Sequence, residues 1–191
     1  VNTASILSSK SNKVILIGTD LRNPQIHKYI GIKKSSRGVS DYIYSRDNLS
    51  WRELIINHED FDILVSGTIP PNPTELLGSD KFEKLIEELK NQYDYIVFDS
   101  APCLLVSDTF EISKYADSTV YVVRSNYSDI NLCNFINETH NAKKLKNMNL
   151  VLNSVGNSSI YGYRYGYQYG YNYSYKYGYN YGYGYGYSEE S

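Results

Sequence analysis

The chain is 191 residues long and 21.9 kDa, with a formal net charge of −2 and a pI near 5.9. That balance excludes a general nucleic-acid binder: the largest basic group is Lys143, Lys144 and Lys146, which reads as the solvated end of a helix. No apolar run is long enough to span a bilayer, and the opening residues do not read as a secretory leader. Cys103 and Cys133 lie too far apart for a metal-ligand spacing and are expected to be buried thiols of a reducing compartment. The start at Val1-Asn2-Thr3 is expected to belong to a longer protein.

In chain order, Thr3–Ser9 reads as the end of a helix whose preceding strand is missing. Val14–Ile17, Phe61–Val65, Tyr95–Phe98, Thr119–Val123 and Leu150–Leu152 read as strands. They are short apolar runs, several of them continuous, as in strands buried on both faces of a parallel sheet. Between them, Trp51 is expected to pack. Asn72-Pro73-Thr74-Glu75 places an N-cap residue, a first-turn Pro and an N3 Glu ahead of a helix. That helix is predicted over Asp80–Gln92, with Phe82, Leu85, Ile86 and Leu89 at i, i+3, i+4 and i+7. Ser128-Asp129 opens another, to about Asn147, with Leu132, Phe135, Ile136 and Leu145 inward. Strand and helix alternate down the chain, which predicts an α/β fold with a doubly wound, mostly parallel sheet over residues 1–157.

Residues 158–191 have another character. Tyr161, Tyr163, Tyr165, Tyr167, Tyr169, Tyr171, Tyr173, Tyr175, Tyr177, Tyr179, Tyr181, Tyr183, Tyr185 and Tyr187 alternate with seven Gly and with Arg164, Gln168, Asn172, Ser174, Lys176 and Asn180. With no aliphatic side chain and this much Gly, the segment is expected to be a disordered, solvated tail. Two readings stay open on the tail alone. Each phenol is a potential phosphate acceptor, gaining about −1.5 to −2 charges at pH 7; strict alternation is equally the pattern of a self-associating ribbon.

Ligands in open α/β sheets bind beyond the carboxyl ends of the strands. Two acids fall there: Asp20, in Gly18-Thr19-Asp20-Leu21-Arg22-Asn23-Pro24, and Asp99, directly after Tyr95-Ile96-Val97-Phe98. An Asp ending an apolar strand is the form of a Walker B acid, and Mg²⁺ takes oxygen ligands. Many strands also end in Asp merely to cap a turn, so the pair is suggestive by itself. His27, His58 and His140 show no metal or triad spacing, Ser100 has no partner base, and Cys103 reads as a buried small hydrophobe.

Several segments, in order, resemble the bacterial tyrosine autokinases of capsular and exopolysaccharide export, relatives of the MinD/ParA-type ATPases. Gly18–Pro24 resembles their Walker A′ motif and Pro70-Pro71-Asn72-Pro73-Thr74-Glu75-Leu76-Leu77 a segment specific to that family. Tyr93–Pro102 resembles Walker B, Val106-Ser107-Asp108 the sequence after it, and Leu152-Asn153-Ser154-Val155 the close of the last core strand. The tyrosine cluster stands where the family carries its own.

The resemblance implies ATP and Mg²⁺ as cofactors. It gives Asp20 a metal and general-base role, Asp99 a metal role, and Asn153 a contact to adenine. Arg22 would face phosphate or a neighbouring subunit, or be structural. The tail tyrosines would be phosphorylated, in trans within a homo-oligomeric ring, at the cytoplasmic face of the inner membrane. Implied partners are a membrane-embedded polysaccharide co-polymerase region and a tyrosine phosphatase, with no nucleic acid. Two departures matter. Gly18 replaces the first of the family's two Walker A′ acids, and the Gly-x-Gly-Lys-Ser/Thr loop that cradles phosphates is expected upstream of Val1. The alternative is a catalytically silent scaffold or phospho-acceptor subunit. A Tyr-rich structural protein and a MinD-like partitioning ATPase rank behind it.

Overall fold

A computed structural model describes residues 1–33, 36–46 and 49–155. The expected disordered tail therefore lies outside the described residues. The central sheet has the order β2 (Ile56–His58), β3 (Phe61–Leu64), β1 (Val14–Gly18), β4 (Tyr95–Asp99). β1 pairs in parallel with both β3 and β4, while β2 runs antiparallel on the edge beside β3.

Alternation along β1 sends its side chains to two different layers. Ile15 and Ile17 pack against Phe82, Leu85, Ile86 and Leu89 of α5 (Asp80–Lys90). Val14 and Leu16 face the other way, onto Ala4 of α1 (Asn2–Ser8) and Ile26 of α2 (Ile26–Tyr29). All five residues of β1 are buried, which is why the run reads as continuous rather than alternating. The doubly wound arrangement thus holds around β1.

The remaining elements are α3 (Val39–Tyr44), a 3-10 turn at Trp51–Leu54, α4 (Pro73–Leu77), α6 (Asp108–Ser113), β5 (Thr119–Arg124), α7 (Leu132–Asn141) and β6 (Met148–Asn153). Trp51 packs as expected, and its indole N–H donates to Glu88 at 2.8 Å. Three expectations need correcting. The Asn72–Glu75 signal opens its own short helix, α4, and α5 has a separate N-cap, Ser79, whose Oγ accepts from the Phe82 N–H. α7 spans Leu132–Asn141 rather than running from Asp129 to about Asn147: Asp129 caps a turn instead, its Oδ1 accepting from the Asn131 N–H at 2.8 Å, and Lys143 leaves the helical conformation (φ 52°) beyond the end, so Leu145 is buried from the turn after the helix. Cys133 is exposed on that helix, whereas Cys103 is buried as expected.

β5 and β6 form a separate parallel pair. Among the described residues, β4 pairs only with β1 and β5 only with β6. Each leaves one edge open. Apolar side chains of this pair stand in solvent, Val120 at 59 % and Val122 at 58 % exposure.

The central layer carries the stability. Phe82 is fully buried against β1, so Phe82→Ala is expected to lower unfolding free energy by about 3–5 kcal/mol. Val122→Ser, on the open face, is expected to change it by about 0.5 kcal/mol or less. Urea denaturation midpoints of the two variants measure the contrast.

Candidate active site at the ends of β1 and β4

In the register of β1 and β4, Gly18 lies opposite Asp99. The chain beyond Gly18 does not turn away freely. The backbone carbonyl of Asp99 accepts from the Thr19 N–H at 2.8 Å, the Asp20 N–H at 2.9 Å and the Thr19 hydroxyl at 2.9 Å. Three donors on one carbonyl fasten the two acid-bearing strand ends together. The Asp20 Oδ1 then accepts from the N–H groups of Arg22 (3.1 Å) and Asn23 (2.9 Å), which holds the carboxylate against its own loop. Asp20 is buried.

Gly18 has a steric reason. A Cβ there would stand 2.6 Å from the Ser66 hydroxyl and 2.8 Å from the Ser66 backbone nitrogen. Backbone of the neighbouring strand end occupies the space that a side chain, and hence a first Walker A′ acid, would need. The departure noted in the sequence is therefore built into the packing between the ends of β1 and β3.

Asp99 is differently placed. Its side chain has an exposed flank where β4 lacks a neighbour. The protein packed around the carboxyl, and secondly the charge of Asp20, push its pKa above the ordinary carboxylate range. Among the described residues no cluster of three or more His, Cys, Asp or Glu could hold a metal, so the site offers a carboxylate pair.

Behind the pair lies a buried network that sequence reasoning did not assemble. The Arg22 Nε donates to Asp108 Oδ2 at 2.7 Å and its Nη2 to Asp108 Oδ1 at 3.1 Å. Thr74 donates its hydroxyl to Asp108 Oδ1 at 2.6 Å and accepts from Arg22 Nη2 at 3.2 Å. Asp108 is wholly buried and Arg22 nearly so. A bidentate pair of this kind is costly to break from one side, by about 3–5 kcal/mol, because an uncompensated charge remains. The network joins the three segments that carry the Walker A′-like, Pro-Pro-Asn-Pro and post-Walker B sequences. Of the readings open for Arg22, this geometry favours the structural one.

The other expected site residues lie elsewhere. Asn153 ends β6, in the two-stranded sheet, where its Oδ1 accepts from the Ser154 N–H at 2.8 Å. Cys103, not a site candidate but read as a buried small hydrophobe, is buried after β4 and hydrogen-bonds Tyr121, and burial raises its pKa. The acceptor tyrosines Tyr161–Tyr187 fall outside the described residues.

Two consequences are measurable. Gly18→Ala should destabilise the domain by about 1–3 kcal/mol through overpacking against Ser66, read as a lower urea midpoint. Asp99 has a raised folded-state pKa, so its ionisation costs stability above its titration range and nothing below it. Asp99→Asn should therefore raise the urea midpoint at pH 7, with the gain disappearing as the pH falls through the carboxylate range.

An AAA domain family matches residues 1–152. A putative tyrosine-protein kinase in the cps region of Klebsiella pneumoniae is 38% identical over 126 residues, covering 64% of this chain and 17% of that protein. The tyrosine-protein kinase YwqD of Bacillus subtilis (strain 168) is 30% identical over 164 residues, covering 85% of this chain and 69% of YwqD. The crystal structure of the VpsO kinase domain superposes with a TM-score of 0.70 at 33% identity, covering 80% of this chain and 74% of that one. The chain thus spans only 17% of the Klebsiella protein but over two thirds of YwqD. It belongs to the bacterial tyrosine-protein kinases, within the AAA domain family.

Proposed function

We propose that the chain belongs to an ATP-dependent protein-tyrosine autokinase whose acceptors are its own tail tyrosines, Tyr161–Tyr187. The observation that carries this reading is the fastening of Asp20 and Asp99 to one another through the Asp99 carbonyl. Phosphoryl transfer needs positioning and charge neutralisation more than covalent help, and two fixed carboxylates supply the anchor. The pair fits a divalent cation. The Asp99 carboxylate feels the charge of Asp20, and Mg²⁺ binds through one or two carboxylates and several waters. Bound there, Mg²⁺ neutralises charge developing on the transferred phosphoryl oxygens.

In this reading Asp20 accepts the phenol proton as the tyrosine oxygen attacks the γ-phosphorus of ATP. The new O–P bond replaces the one to the bridging oxygen, and ADP leaves with that electron pair. Asp99 holds position at the end of β4, and Arg22 acts through Asp108 and Thr74 to keep the Asp20 loop in place. Asn153 contacts the base. The phosphate-cradling loop is assigned to chain upstream of Val1. One feature supports that assignment: the open edges of β4 and β5, which suit an intervening parallel strand.

In trans transfer within a ring, regulation of polysaccharide polymerisation and export at the cytoplasmic membrane face, and reversal by a tyrosine phosphatase complete the proposal. The alternative reading is a catalytically silent scaffold or phospho-acceptor subunit whose tail another kinase modifies.

Extending the chain upstream, incubating it with MgATP and mapping phosphotyrosine by mass spectrometry separates the two. Phosphate on Tyr161–Tyr187, reduced about 10²-fold or more in Asp20→Asn, is the expected result. Undiminished phosphate in the variant would remove Asp20 from the mechanism. Absence from both would make the tail another enzyme's substrate.

A further inference from the structure

The three lysines that read as a solvated helix end are displayed on a fixed segment. After α7, Lys143 takes a left-handed conformation (φ 52°), and the Lys143 and Lys144 N–H groups donate to the carbonyls of His140 and Thr139. Leu145 is buried between them, and the Lys146 N–H donates to the Ser113 hydroxyl of α6 at 2.9 Å. Backbone and core therefore hold this turn in place. Its lysine side chains line a groove of about 560 Å³ between α6 and the start of β6. Phe110 forms an aromatic wall there, with the Lys144 Nζ 5.9 Å from its ring centroid. His140 and Lys114 complete the basic lining; among the described residues no Asp or Glu lines the groove, although Glu111 pairs with Lys114 from outside it.

We infer that this groove docks the phosphorylated form of the chain's own tyrosine tail, an inference that rests on reading that tail as a phosphate acceptor. The match is chemical. Phosphotyrosine offers a ring for Phe110 and about −1.5 to −2 charges for Lys143, Lys144 and Lys146. The volume lies within the roughly 300–1,000 Å³ typical of ligand sites. It is also geometric. The chain leaves the groove at Met148 and follows β6 to Asn153, about 17 Å away at strand rise. The sequence from Gly156 to Tyr187 spans up to about 100 Å when extended, ample to return to its own groove or reach a second copy. With many acceptors on one tether, effective concentration keeps even a weak site occupied. Docking would draw modified tyrosines away from the acids at the ends of β1 and β4.

A synthetic peptide of Tyr177–Tyr187, phosphorylated at Tyr181 and Tyr183, tests this on the 191-residue chain without any kinase step. By fluorescence anisotropy at low salt it should bind about ten- to a hundredfold more tightly than the unphosphorylated peptide. The preference should vanish in the Lys143→Ser, Lys144→Ser, Lys146→Ser variant and persist when all three are Arg, with melting temperature confirming that both are folded. Three results would overturn the inference. They are equal binding by parent and Ser variant, equal binding of a charge-matched glutamate peptide, and lysine-dependent binding to phosphatidylserine vesicles but not to the phosphopeptide. Failure of MgATP to label the tail would count against the autokinase, while this binding result would stand on its own.

Discussion

The Asp99 carbonyl is the point on which the candidate site turns. It ends one strand of the central sheet and receives three hydrogen bonds from the residues that end another. Two backbone N–H groups and the Thr19 hydroxyl thus tie the two acid-bearing strand ends together, and the parallel register of β1 and β4 aligns them again from below. Burial of β1 on both faces makes that register hard to slip: a shift of one residue would exchange Ile15 and Ile17 with Val14 and Leu16 between two cores of different shape. The rigidity of the acid pair is inherited from the hydrophobic layers, and the chemistry proposed for it depends on that inheritance.

Arg22 makes the second connection. A buried charge pair is seldom retained for stability alone, since a hydrophobic replacement is often as good. Here the pair fixes geometry. Through Asp108 and Thr74, Arg22 links the loop after β1 to α4 and α6, two elements distant in sequence. Movement of either helix would be felt at Asp20. The structure also accounts for the missing acid at position 18, because Ser66 closes on the backbone there and the site is left with one carboxylate on that loop.

Much of this was legible in the sequence, for physical reasons. Strands buried on both faces leave continuous apolar runs, so β1 and β3 are legible to within a residue or two; β4 shows the same kind of run although its residues are only partly buried. α5 is long enough to display its period. The acids after β1 and β4 followed from where strands end. What was not legible was short or long-range. α2, α3 and α6 span four to six residues, too few for a periodic signal, and β2 is a three-residue edge strand. The exposure of Cys133 depends on which face of α7 finds a partner. The Arg22–Asp108 pair joins residues 86 positions apart, and nothing in one sequence marks two opposite charges as neighbours at that separation. Lys143–Lys146 kept its place near the helix end but acquired a groove only when α6 was brought alongside.

The central claim is that Asp20 and Asp99 form one divalent-cation site for a nucleotide. The most direct measurement is the affinity of the upstream-extended chain for a fluorescent ATP analogue, titrated with and without Mg²⁺, in the parent and in Asp20→Asn and Asp99→Asn. The account predicts that Mg²⁺ strengthens binding in the parent and that either substitution removes most of that gain. Binding that is indifferent to Mg²⁺, or a gain retained in both variants, would contradict it.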